Sequence, residues 1–224
     1  RTRLMWVVGA MFLGAVASFN FAEQIFGFLL APAVEALGEN DSQLQAIAPT
    51  EIFFTYLKSS LLAGFAYTGG PKPIAYSASG ELFVFLFFGL VAVLGRYYLQ
   101  ALTLSWHALA GACAIGLLAA AVLLVNNYRD LHSDRKAGKL TLVHYLGTRG
   151  AQGAYAVLVL APFLLPLALG EYTAWLVWLA LPLALHLWRL FVTQPAGPVF
   201  NQILAQTALL QLLFGVLLIV ALLL

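Results

Sequence analysis

Charge is what this chain lacks. Of its 224 residues, 9% are Asp, Glu, Lys or Arg and 62% are hydrophobic, with a mean hydropathy of +0.93. Soluble domains carry about 25% charged residues. A water-facing surface cannot be covered from this alphabet, which places the chain in a bilayer. The net charge of +2 is small and scattered, so no nucleic-acid partner is expected. A single cysteine, Cys113, excludes a disulfide within the chain and a zinc site built from cysteines. It lies in an apolar run and reads as a small packing residue. The chain opens Arg1-Thr2-Arg3 with no secretory leader in view, and a preceding N-terminal piece is expected.

What is present is a series of long apolar runs. About 20 apolar residues carry a helix across a bilayer. Seven segments reach or approach that length: 4–30, 52–67, 82–104, 106–125, 155–169, 172–191 and 203–224. The second and fifth are short. Runs of alternating polarity, as an outer-membrane barrel needs, are missing. The expected fold is all-α, a polytopic transmembrane helix bundle. The connectors alternate in chemistry. Residues 31–51 hold Glu35, Glu39, Asp41 and Glu51 and no basic residue, and Gly170-Glu171 is short and acidic. Arg1, Arg3, Lys72, Arg129, Arg135, Lys136, Lys139, Arg149 and Arg189 all fall on the other side if the seven segments alternate. The positive-inside rule makes that side cytoplasmic. Lys58 and Arg96 sit inside apolar segments, where an ionisable group faces a polar cavity or snorkels to an interface.

The stretch "NNYRDLHSDRKAGKLTL", residues 126–142, concentrates charge directly after an apolar run. Asp130 and Asp134 are four apart. On a helix that runs on past the membrane edge, both carboxylates project from one face, in line with Asn126. Two hard oxygen ligands at this spacing suit Mg²⁺, which binds through one or two carboxylates, water and substrate phosphates. Arg129, Arg135, Lys136 and Lys139 around them suit a diphosphate, which needs N–H donors beside the metal. The plain alternative is a solvated, salt-bridged loop that anchors topology. A second stretch, "YTGGPKPIAYSASGE", residues 67–81, contains Gly69-Gly70-Pro71 and Pro73. These form a rigid turn holding Lys72 at its tip; the plain alternative is an ordinary interhelical turn.

Together with the C-terminal "NQILAQTALLQLLFGVLLIVALLL", these two stretches resemble the UbiA superfamily of membrane aromatic prenyltransferases, in particular its branch in menaquinone biosynthesis. The likeness is good over residues 67–224 and weak over residues 1–51. It implies a nine-helix bundle around a lipid-open cavity, with two Asp-rich motifs on the cytoplasmic side of a bacterial inner membrane. The second motif corresponds to Asp130 and Asp134, with Asn126, Asn127 and Arg129 leading in and Lys139 and Thr141 following. Asp130, Asp134 and Asn126 are then the Mg²⁺ ligands, and Tyr67 and Lys72 contribute to diphosphate binding and loop closure. The first Asp-rich motif has no counterpart before Tyr67, and seven segments stand where nine are expected. The first two helices of a single prenyltransferase domain are therefore expected to be missing.

The implied reaction joins a polyprenyl diphosphate to 1,4-dihydroxy-2-naphthoate with loss of CO₂, giving demethylmenaquinol. The polyprenyl tail would lie among apolar helices and membrane lipid. Arg96, near Tyr97, Tyr98 and Gln100, is a candidate for the acceptor's carboxylate, and Arg135 for the diphosphate. His107, His132, His144 and His186 show no metal-ligand spacing. Homogentisate, 4-hydroxybenzoate and a phytyl donor remain open, as do a small-solute transporter and a structural subunit.

Overall fold

A computed structural model describes Tyr67, residues 73–101 and residues 103–224. Two of the seven expected segments, 4–30 and all but the last residue of 52–67, lie outside the described residues, as do Lys58 and Lys72. Among the described residues there are helices and no strands. Five helices are long and apolar enough to cross a membrane. They are α1 (Gly80–Tyr98), α2 (Trp106–Arg129), α4 (Leu142–Leu169), α5 (Tyr172–Thr193) and α6 (Phe200–Leu223). A short helix, α3 (Leu131–Lys136), sits between α2 and α4, and a single turn, Ile74–Tyr76, precedes α1. The protein is a multi-pass helical membrane protein. Lipid offers backbone groups no hydrogen-bond partner, so helices that satisfy themselves are the form such runs must take.

More of α2 is buried than of any other described span. Its run of small residues explains why. Gly111, Ala112, Ala114, Gly116 and Ala119–Ala121 let neighbouring backbones approach closely. The tightest crossing is with α1. A Cβ added to Gly89 would stand 2.7 Å from the Ala112 carbonyl oxygen and 2.7 Å from the Gly116 Cα. Around this crossing α1 widens into a π-helix, Phe85–Leu94. Ser105 caps the start of α2, its hydroxyl accepting from the Ala108 N–H at 3.1 Å, so this residue ends the turn between two antiparallel spans.

α4 begins 13 residues before the apolar run at 155 that marks it in the sequence. Thr148, Arg149 and Gln152 make its first turns look like a loop. They are helical because they lie at the polar end of the bundle, where Gln152 Nε2 donates to the Val192 carbonyl on α5 at 3.1 Å. The helix bends at Gly147, whose φ of 66° favours glycine. Pro162 and Pro166 tighten its far end, and Gly170 closes it in the left-handed conformation.

Four rings, one from each of α2, α4, α5 and α6, lock the polar end together. Tyr155 stacks on Phe191 at 4.2 Å, Tyr128 lies 4.6 Å from Phe191 and 4.9 Å from Phe200, and Phe191 meets Phe200 at 5.1 Å. All four are buried. Such pairs contribute about 0.5–1.5 kcal/mol each beyond area burial. The Tyr155 hydroxyl, which would otherwise be stranded, pairs with Thr207 Oγ1 at 2.8 Å.

Candidate functional site

The site grows from the C-terminal end of α2. The helix ends at Arg129, and Asp130 turns the chain (φ −94°, ψ 11°) into α3. Asp130 and Asp134 are thus not on one uninterrupted helix as the i, i+4 spacing suggests. The hydrogen-bond ladder nevertheless carries through: the Asp130 N–H donates to the Asn126 carbonyl at 3.2 Å and the Asp134 N–H to the Asp130 carbonyl at 2.8 Å. The backbone ladder thus runs through the break, and both carboxylates act on the Arg129 guanidinium.

Each aspartate faces its own cation. The Arg129 guanidinium grips Asp130 through two bonds, Nε to Oδ1 at 2.9 Å and Nη2 to Oδ2 at 2.6 Å. It also donates to Asn126 Oδ1 at 2.8 Å and, across the bundle, to Asn201 Oδ1 at 3.0 Å. One planar fork thereby ties the end of α2 to the start of α6. Lys139 serves Asp134. Gly138, at φ +73°, reverses the chain after α3, and the Lys139 N–H donates to the Asp134 carbonyl at 2.9 Å. The side chain folds back to put Nζ 2.7 Å from Asp134 Oδ2, an ion contact without hydrogen-bond alignment. Nζ also donates to Asn127 Oδ1 at 3.1 Å. Lys139 is buried, at 7% exposure, which is uncommon for lysine and requires such partners.

Beyond Asn127 the chain of contacts reaches Glu81, in the first turn of α1. Asn127 Nδ2 donates to Glu81 Oε1 at 2.8 Å. Glu81 is 4% exposed, and its second oxygen, Oε2, is buried with no hydrogen-bond partner. Tyr67 belongs to the same end. Its hydroxyl lies 4.0 Å from where a Gly80 Cβ would stand, and its ring is stacked 6.4 Å from Phe83. The turn around Lys139 is held to the loop before α1 by the Leu140 N–H, which donates to the Tyr76 carbonyl at 3.2 Å.

The next turn fixes the lower edge. The Thr141 N–H donates to His144 Nδ1 at 3.1 Å, and His144 Nε2 lies 3.0 Å from the Leu131 carbonyl. A neutral ring protonated on Nε2 satisfies both contacts, so His144 caps α4 and braces α3. Arg135 is exposed and, with Leu140, His144 and Tyr145, lines an open hollow of about 200 Å³.

The structure therefore brings together Tyr67, Asn126, Asn127, Arg129, Asp130, Asp134 and Lys139, with Arg135 at the rim. Lys72 lies outside the described residues. Arg96, Tyr98 and Gln100 are not part of this group. α1 and α2 run antiparallel, with Glu81 beside Asn127 and Gly89 beside Gly116. Fifteen residues of helix separate Glu81 from Arg96, a span on the order of 20 Å, so Arg96 lies toward the opposite end. Glu81 and Asn201 are members that the motif alone does not reveal. An acid at the mouth of an apolar run is a signal for Glu81; Asn201 carries none.

The donor set fits a magnesium ion shared with phosphate. Asp130, Asp134, Asn126 and Asn127 offer hard oxygens, and Asp134 Oδ2 is buried without an aligned donor. Among the described residues no three His, Cys, Asp or Glu side chains converge. An ion held here would complete its shell with water and substrate oxygens.

Comparison with known families matches residues 21–197 to the UbiA prenyltransferase family, reaching further toward the N-terminus than the likeness visible in the motifs. Similar curated proteins carry the name 1,4-dihydroxy-2-naphthoate octaprenyltransferase. The one from Mycobacterium leprae is 39% identical over 152 residues, which is 67% of this chain and 52% of that protein. The Mycobacterium tuberculosis protein is 44% identical over 59% of this chain and 44% of its own length. The Haemophilus influenzae protein is 37% identical over 80% and 58%. This chain spans about half the length of the curated relatives it matches. No solved structure matches it.

Proposed function

Because the chain belongs to the UbiA prenyltransferase family, we propose that it transfers a polyprenyl group from an allylic diphosphate to 1,4-dihydroxy-2-naphthoate, releasing CO₂ and diphosphate and giving demethylmenaquinol. The observation that carries this reading is the paired clasp, Asp130 with Arg129 and Asp134 with Lys139, at one end of membrane-spanning helices. The names of the relatives supply the acceptor class.

Asp130, Asp134 and Asn126 would hold Mg²⁺, which when bound supplies charge neutralisation to a departing diphosphate. Arg129 and Lys139 provide the N–H donors for the phosphate oxygens, and Arg135 at the rim meets the diphosphate headgroup at the membrane surface. By the family resemblance, Tyr67 and Lys72 would contribute to binding the diphosphate. Preorganised donors of this kind stabilise charge as the allylic C–O bond breaks. The naphthoate ring then attacks the allylic carbon at its carboxylate-bearing position, the new C–C bond forms, and the carboxylate leaves as CO₂. Buried apolar side chains around the tail exclude water, which would otherwise capture the cation. The basic residues of the clasp, the α3–α4 connection and Arg189 lie at this end, so the site faces the cytoplasm of a bacterial inner membrane under the positive-inside rule.

Arg96 stands on the order of 20 Å along α1 from Glu81, so we propose that the acceptor's carboxylate is bound nearer the clasp.

The test uses membranes holding the full gene product, supplied with a polyprenyl diphosphate, Mg²⁺ and in turn 1,4-dihydroxy-2-naphthoate, homogentisate or 4-hydroxybenzoate. Prenylation of the naphthoate, lost when the metal is chelated, is expected. Preference for either other acceptor reassigns the substrate. No diphosphate consumption with any acceptor rejects the enzyme reading and favours a transporter.

A further inference from the structure

Glu81 lies outside the Asp-rich motif, 46 residues from the nearest residue its side chain bonds, yet it is buried at the head of the same line of contacts. It does not touch Lys139 or either aspartate in any hydrogen bond of the clasp. What it determines is the amide of Asn127. With Nδ2 donating to Glu81 Oε1, Asn127 has one orientation left, with Oδ1 turned to the Lys139 ammonium. The opposite orientation would place an NH₂ against an NH₃⁺ and a carbonyl oxygen against a carboxylate, two repulsive contacts in a buried setting.

We propose that Glu81 is a positioning residue for the diphosphate end of the site: by fixing the Asn127 amide it holds the Lys139 ammonium over Asp134, where a diphosphate arriving with its metal ion finds both groups in place. This rests on the reading of the clasp as a diphosphate site. Three features support it beyond the bond itself. Glu81 is held by the first turn of α1, and α1 is fixed against α2 by the close Gly89–Gly116 crossing. Lys139 is buried and held between Asn127 and Asp134. Asn127, itself buried, directs its side-chain hydrogen bonds to Glu81 on one side and Lys139 on the other, so it transmits the position of one to the other.

The line of contacts has a direction, and reversing it is the test. Asn127→Asp places two carboxylates together, and the apparent KM for the polyprenyl diphosphate is expected to rise by about tenfold or more. Glu81→Gln combined with Asn127→Asp restores the line with its polarity reversed: the amide N–H introduced at position 81 donates to the carboxylate introduced at position 127, whose other oxygen still accepts from Lys139. The double variant should recover to within a few-fold of wild type. Glu81→Ala alone is expected to raise the diphosphate KM while leaving the acceptor KM within about twofold. Membrane abundance of each variant is measured alongside, and the double variant carries the test where Glu81→Ala fails to accumulate. Rescue confined to the diphosphate KM supports the proposal. A double variant no better than Asn127→Asp alone, or equal shifts in both KM values, overturns it. A wild-type protein that consumes no polyprenyl diphosphate would instead reject the underlying reading of the site, a separate outcome.

Discussion

The two ends of this bundle solve different problems with different residues. At the clasp end, charged and amide groups from α1, α2 and α6 and the turn after α3 interlock at 2.6–3.1 Å, and the carboxylate and ammonium of Glu81 and Lys139 are buried. At the other end the contact of His107 with Glu171 is looser, 3.7 Å apart, with side chains 49% and 56% exposed. Aromatic side chains take over there. Trp106, Tyr172, Trp175 and Trp178 are all exposed, and Trp106 Nε1 donates to the Ala168 carbonyl at 2.9 Å, a hydrogen bond that joins the start of α2 to the end of α4. Exposed tryptophan and tyrosine at helix ends mark a lipid–water interface. Buried charge is retained where it has chemistry to perform, since replacing it with apolar side chains is often neutral or stabilising. The aromatic end carries the residues of a membrane interface; the clasp end is where we propose that the diphosphate binds.

This contrast breaks if charge at the clasp end proves dispensable. Asp130→Ala removes one carboxylate and leaves the Arg129 guanidinium without its bidentate partner. Turnover is expected to fall by about 10²–10³-fold, measured as prenylated product per unit of protein in the membrane. Between the two ends, packing should dominate. Gly89→Leu forces a side chain where a Cβ alone stands 2.7 Å from the Ala112 carbonyl; overpacking of about 1–3 kcal/mol follows, read as a lowered unfolding temperature in detergent. Tyr155→Phe deletes one interior hydrogen bond, to Thr207. Bonds of this kind average about 0.6 kcal/mol within membranes, so a small shift in the same assay is expected with activity retained. At the aromatic end, His107→Ala should change stability by less than about 0.5 kcal/mol, because the pair it breaks is solvated. A large loss of turnover there would mean that the two ends are not functionally distinct.

Much of this is legible in the sequence. Long apolar runs and scarce charge lead directly to a helical membrane bundle, and five of the seven runs appear as spans among the described residues. The extent of α4 is hidden because Thr148, Arg149 and Gln152 are polar, and polarity at the end of a span looks the same as a loop until a neighbour such as α5 is in place. Asp130 and Asp134 stand out by spacing and by the cations around them. The break at Asp130 does not, since i, i+4 spacing is compatible with a continuous helix. The contacts of Glu81 and Asn201 escape for a different reason. Their partners lie 46 and 72 residues away, and no local pattern encodes a contact made by tertiary packing. Arg96 draws attention as a cation inside an apolar run; only the antiparallel pairing of α1 with α2 adds that it stands on the order of 20 Å along α1 from Glu81.

The decisive experiment compares wild type with Asp134→Asn in membranes containing the full gene product. Both are given Mg²⁺, a polyprenyl diphosphate and 1,4-dihydroxy-2-naphthoate labelled in its carboxylate, and labelled CO₂ and prenylated product are counted together. CO₂ and product in equal amounts are expected from the wild type, and almost none from Asp134→Asn at equal abundance. Equal turnover by the two proteins would contradict the assignment, because the clasp around Asp134 would then have no part in the transfer.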